Sequence, residues 1–194
     1  DRCLRMIVSG HSKASTVVLR HITNLPSMMF RADTLVLKYC LRFQSLPEDS
    51  LLCLLSSTVH SPTIDRLRQR QIVQDCPADI SGTAQLSRWL KQYRQAQFTS
   101  FLSTTPQKLI KACRPVLRVD PILFLPASHA DRSRLVRWRM GWIPGKPILC
   151  SCNLGLTTRS HLMLCSSISS ALWSCLPFPP SDYTGHHIDF VINM

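Results

Sequence analysis

Apolar positions recur along this chain with a helical period, and prolines, glycines and short polar clusters cut the pattern into segments. Pro26, after Asn24-Leu25, suits the first turn of a helix. Residues 27–45 then set Met28, Leu35, Val36, Tyr39 and Phe43 on one broad arc at about 100° per residue. Pro47-Glu48-Asp49-Ser50 is a turn that starts a short helix over Leu51–Ser57. Ser61-Pro62-Thr63 breaks the chain and leads into a helix over Ile64–Gln74, ended by Cys76-Pro77. Ser81-Gly82-Thr83 opens a long helix to about Leu102, with Leu86, Trp89, Leu90 and Tyr93 on one face. Pro106 starts a further helix that Arg114-Pro115 stops.

The Pro-punctuated apolar residues 115–129 read as a short strand or an extended connector. A basic helix follows over Ala130–Met140, capped by Ser128 or Asp131. Trp142-Ile-Pro-Gly-Lys-Pro is a turn. Thr157 or Thr158 caps a last helix, predicted to run through His161 and Cys165 to about Leu176. The tail from Pro177 is rich in Pro, Ser and His and reads as loose. The expectation is an all-α fold: an irregular helical bundle with a small C-terminal Cys/His segment. Its parts are a helical region (1–125), a basic helix plus Cys/His cluster (126–176) and a flexible tail (177–194), and its core includes Leu35, Tyr39, Leu86, Trp89, Leu90 and Tyr93.

Composition narrows the function. With 45% apolar residues in 194, a core is within reach. Charge is lopsided, 23 Lys+Arg against 11 Asp+Glu for a net +12, and 17 of the 23 basic residues are Arg. Such a balance points to a polyanion, either nucleic acid or an anionic membrane surface. The single Glu, Glu48, excludes paired-Glu chemistry. No phosphate-cradling glycine loop occurs, no apolar run is long enough for a membrane span, and no spacing singles out a catalytic triad or a pair of adjacent carboxylates. The opening Asp-Arg-Cys, without initiator Met or signal-peptide layout, reads as a fragment or the tail of a longer protein.

Nine cysteines divide unevenly. Cys3, Cys40, Cys53, Cys76 and Cys113 are spread out and read as small buried hydrophobes. The other four crowd into Cys150–Cys175, which suits a reducing compartment and one local metal cluster. Cys150, Cys152, His161 and Cys165 form C-x-C-x8-H-x3-C. Zinc takes four tetrahedral ligands of this kind, and His161 and Cys165 share a helix face at i, i+4. The alternative is separate thiols, and Cys175, His186 and His187 are substitute ligands.

Arg132, Arg134, Arg137 and Arg139, with Trp138 between and Trp142 after, form a dense positive source whose guanidinium forks match phosphate oxygens. On a helical wheel Arg134 and Arg137 oppose Arg132 and Arg139, so part of the set is available for ion pairs or for covering the core. Trp138 reads as an anchor rather than a base platform. Lys146 and Arg159 add charge nearby. A second stripe, Arg31, Lys38 and Arg42, either tracks a phosphate backbone or is an ordinary solvated face.

The run Asp131-Arg-Ser-Arg-Leu-Val-Arg-Trp-Arg-Met-Gly-Trp-Ile-Pro-Gly-Lys-Pro, followed by Cys150, Cys152, Thr158-Arg159-Ser160-His161 and Cys165, resembles the C-terminal region of reverse transcriptases from non-LTR (LINE-like) retrotransposons, especially fungal ones. Leu4-Arg-Met-Ile-Val-Ser-Gly, Ser15-Thr16, Leu19, Leu25-Pro26 and Leu46-Pro47-Glu48-Asp49-Ser50 resemble the stretch after the polymerase palm. The resemblance covers most of residues 1–176. It implies a thumb-like helical region followed by a CCHC zinc knuckle with Cys150, Cys152, His161 and Cys165 as ligands. The family commonly has four residues between the His and the last Cys, where this chain has three. The polymerase aspartates are absent.

The resemblance therefore implies an accessory part that grips element RNA or target DNA, with the rest of a polyprotein upstream, in a nuclear or cytoplasmic ribonucleoprotein and without membrane insertion. Two alternatives stand beside it: a part of an RNA-directed DNA polymerase active only in a longer chain, and a decayed element remnant.

Overall fold

The computed structural model describes residues 2–7, 14–58, 62–80, 82–141, 143 and 148–194. Among these the fold is all-α, as the periodicity predicts. The helices are α1 (Arg2–Ile7), α2 (Thr16–Ile22), α3 (Met28–Gln44), α4 (Leu51–Thr58), α5 (Pro62–Arg68), α6 (Gln71–Gln74), α7 (Thr83–Thr104), α8 (Lys108–Lys111), α9 (His129–Arg139), α10 (Arg159–Leu164), α11 (Ser170–Ser174) and α12 (His187–Asn193). Extended pairing among the described residues amounts to one isolated antiparallel bridge, Leu149 to Leu156. No described helix is long and apolar enough to cross a membrane.

Local chemistry sets the helix ends. The Ser27 hydroxyl accepts the Phe30 N–H at the start of α3, and Ser128 accepts the Asp131 N–H at the start of α9, so Ser128 is the cap there. Ser128 also donates to the Asp131 carboxylate at 2.6 Å, a reciprocal pair that fixes the first turn. Asn24 ends α2 in the left-handed region at φ 53°, with its N–H on the His21 carbonyl and that of Leu25 on Arg20. In 115–129 the connector alternative holds: a 3-10 turn over Pro121–Leu123, capped by the Asp120 side chain, is its regular piece.

The chain divides into two compact units, residues 26–96 and residues 1–25 with 97–194. In residues 26–96, α3, α6 and α7 bury Leu37, Ile72 and Leu86, with Phe30, Leu41, Val73, Leu90 and the stacked pair Trp89–Tyr93 packed against them. The helix expected over 64–74 is broken. Arg70 is extended between α5 and α6 and pairs with Asp33 at 3.3 Å, and Ile72 is buried just after the break.

Leu35 and Tyr39, expected in the core, are exposed, Leu35 by 67%. The reason is angular: Leu35 lies within about 60° of Arg31, Lys38 and Arg42 on the helix, and that stripe faces solvent. Leu37→Ala is expected to cost about 2–5 kcal/mol, and Leu35→Ala less than about 0.5 kcal/mol. Urea unfolding of the two variants checks the assignment, and equal losses would overturn it.

The other unit buries Leu4, Val18, Leu19, Ile22, Ile110, Cys113, Ile122, Val136 and Met140, with Phe98, Phe101 and Ile192 against them. His21 stacks on Phe98 at 5.0 Å between ring centroids. The Asp120 N–H donates to the Ile22 carbonyl at 2.8 Å, which ties the connector to the end of α2. Residues 177–194, read as loose from their composition, carry α12, whose Asp189 is fully buried.

Candidate metal centre and basic surface

Residues 148–157 form a tight turn. The Leu149–Leu156 bridge closes it, the Cys150 N–H donates to the Gly155 carbonyl at 2.9 Å, and the Thr157 N–H donates to Ile148 at 2.8 Å. Asn153 takes the left-handed conformation at φ 59° that the reversal requires, a conformation Asn tolerates better than most residues. A side chain at Gly155 would meet His161 Nδ1 at 3.2 Å, so the bare glycine lets the imidazole lie against the turn. Thr158, not Thr157, caps α10 by accepting the His161 N–H.

The helix expected to run from this cap to Leu176 stops at Cys165, which is extended at ψ 117°. α11 starts afresh at Ser170, capped by Ser169. Ending α10 there accompanies a Cys165 sulfur 3.4 Å from Cys150 Sγ. Cys152 Sγ lies 3.2 Å from His161 Nε2, and the four donor atoms are all within 4.8 Å of one another. A tetrahedral ion with metal–ligand bonds of about 2.0–2.3 Å separates its ligands by about 3.3–3.8 Å. The Cys3His group can therefore hold one metal ion with small adjustments.

The thiols differ. Hydrogen bonds, first from the Cys152 N–H and then from His161 and Cys165, hold the Cys150 thiol down to about 6. Cys152 accepts from the Leu154 N–H, which lowers its pKa, but burial and the neighbouring thiols of Cys150 and Cys165 raise it overall. A cation bound at the centre would favour the thiolate form of these cysteines.

The substitute ligands lie elsewhere. Cys175 is exposed. His186 has Nε2 on the Arg159 carbonyl and Nδ1 accepting the Ile188 N–H, and His187 Nε2 lies 2.6 Å from the Pro177 carbonyl. Of the dispersed cysteines, Cys40 and Cys113 are buried, Cys53 and Cys76 half-buried, and Cys3 is exposed.

The arginines sort by environment. Arg137 is exposed, and Arg134 is exposed while pairing with Asp131 at 2.6 Å. Arg132 donates to the Leu125 and Ala127 carbonyls. Arg31, Lys38 and Arg42 are exposed along one side of α3. Lys146 and Trp142 lie outside the described residues. Arg139, expected on a phosphate-facing surface, is 1% exposed and takes no part in one. Its Nε lies 3.5 Å from Asp120 and its Nη1 3.7 Å from Asp189, and it donates to the Ala112 carbonyl and to Asn193.

Arg159 pairs with Asp189, and its guanidinium sits 4.8 Å from the Trp138 ring centre. Trp138 is buried as an anchor, with its indole N–H on Asp189 at 2.9 Å. Asp189 is the organising residue that sequence reading missed. Its signal is the pair Asp189/Asn193, polar residues at i, i+4 on a short helix whose other residues after His187 are apolar.

Set against protein-family models, curated proteins and solved structures, the chain matches none.

Proposed function

We propose that this chain is a nucleic-acid-binding accessory region in which zinc fills the Cys150–Cys152–His161–Cys165 centre. It would grip RNA or DNA beside a polymerase core of the kind its sequence resembles in non-LTR retrotransposon reverse transcriptases. The observation that carries this reading is the Cys3His donor set in a molecule of net charge +12. Thiolate and imidazole donors at this spacing favour zinc over the harder cations, which prefer oxygen. The buried carboxylates Asp120 and Asp189 are engaged by arginines, so they are not free to hold catalytic metal ions. This supports binding rather than polymer synthesis as the role of the region.

The grip is electrostatic. Arg134 and Arg137 on α9, and Arg31, Lys38 and Arg42 on α3, are the exposed cations assigned to phosphates. On a single strand the logarithm of affinity should fall with the logarithm of salt by about 0.7 per neutralised phosphate. Replacing Arg134 and Arg137 together should shallow that slope by about one to two units and leave sequence preference unchanged. Fluorescence anisotropy across a salt series reads the slope. An unchanged slope removes α9 from the surface, and binding to anionic vesicles but not to nucleic acid discards the reading.

A further inference from the structure

An open cleft of about 1180 Å³ is bounded by α8, the end of α9, residues 157–160 and Met163 around the candidate ligand His161, and residues 183–186. Ligand pockets usually hold about 300–1,000 Å³, so this one admits a bulky group with room to enter and leave. Its charge is one-sided. Lys108 and Lys111 stand one helical turn apart on its edge, both exposed and neither with an acidic partner among the described residues. The carboxylate in the wall, Asp189, is already neutralised by Arg159 and Arg139. The lining also includes the half-buried Ile143, the exposed thioether of Met163, and the side chains of Ser160 and Thr184.

Two glycines keep the walls low. Gly141 is left-handed at φ 75°, and a Cβ there would meet Leu109 at 3.1 Å. A Cβ at Gly185 would run into the Tyr183 hydroxyl. A side chain at either position would crowd the cleft lining.

We infer that this cleft takes one nucleotide unit, with the phosphate on Lys108 and Lys111 and the base against Met163 and Ile143. Paired cations without an anion suit a phosphate. A polarisable thioether and a branched apolar chain in one cleft lining suit the flat face of a base. Hydroxyl-bearing residues in the same lining suit a sugar. The unit is either part of a single strand, in which case the site rests on the binding function proposed above, or a free nucleotide.

The test uses the full chain and three probes: adenosine 5′-monophosphate, adenosine, and a labelled single-stranded 12-mer. Methyl NMR follows Met163 and Ile143, and anisotropy follows the 12-mer. The nucleotide should shift both methyl signals, and adenosine should bind at least about tenfold more weakly, because it lacks the charged hydrogen bonds. Lys108→Gln with Lys111→Gln should abolish the nucleotide shift and weaken the 12-mer about tenfold. Both lysines are exposed, so the variant keeps its helical circular dichroism.

No shift with the nucleotide, together with a 12-mer unaffected by the double variant, overturns the cleft and leaves the general binding reading standing. Nucleotide binding without 12-mer binding keeps the cleft, assigns it to free nucleotides and discards that reading. Equal binding of adenosine, of inorganic phosphate or of an acidic peptide at the same residues overturns the nucleotide assignment.

Discussion

If zinc fills the Cys3His centre as proposed, removing it should unfold residues 148–165 and release the packing around them. Structural zinc contributes about 10–16 kcal/mol of binding energy in small zinc-finger peptides near neutral pH, and that energy is folding energy. Here little else holds the turn: one isolated bridge, a few backbone hydrogen bonds and a six-residue helix. Leu149, Leu154, Leu156 and Leu164 are all exposed, so hydrophobic burial contributes little. Protein purified without chelator should carry one zinc per chain by elemental analysis. Chelation or Cys152→Ser should strip hydrogen-exchange protection from the amides of Cys150 and Thr157, which donate across the turn. Acid should speed the loss, because protons compete with the metal for thiolate and imidazole. A metal-free protein whose turn amides stay protected would remove zinc from the account.

The second large effect belongs to Arg139. Arg139→Met should destabilise the protein by about 3–5 kcal/mol, the usual cost of removing one partner from a buried ion pair. Asp120 would keep the Ile122 N–H but lose the cation facing its other oxygen. Asp189 would keep Trp138 and Arg159. The Asn193 side chain would lose its guanidinium partner, so α12 should loosen first.

The double variant Arg139→Met, Asp120→Asn should recover part of the loss, because it removes the stranded charge with its partner. Chemical denaturation measures both. If Arg139→Met is as stable as the parent, the buried network is not what holds the C-terminal helix. If it instead shallows the salt slope of nucleic-acid binding, Arg139 belongs on the surface.

Much of this molecule is written in contiguous residues. Ser128 and Thr158 fix helix starts because a short side-chain oxygen reaches an N–H three residues on, a relation the sequence displays, whereas α3 starts behind the cap Ser27 and leaves Pro26, expected in its first turn, outside the helix. The Cys3His cluster is legible for the same reason: two cysteines share a turn, and His161 sits on a short helix that ends at Cys165 four residues on, although the expected continuous helix through Cys165 is not what brings them together. The all-helical character follows from period and punctuation. What the sequence could not supply is the partner of each polar group. Arg137 and Arg139 are two positions apart in one helix, and one is exposed while the other is buried. That difference rests on Asp120 and on Asp189, the latter 51 positions from its other partner Trp138. Leu35 and Leu37 differ likewise: α6 and α7 pack on one side of α3 and leave the other to solvent. The ordered tail belongs here too, since α12 is short and gains its place from a carboxylate that three distant donors reach. Helix ends and ligand spacing are decided by neighbours within one turn. Burial and ion pairing are decided by where the chain path brings remote groups together, and only the tertiary structure sets that path.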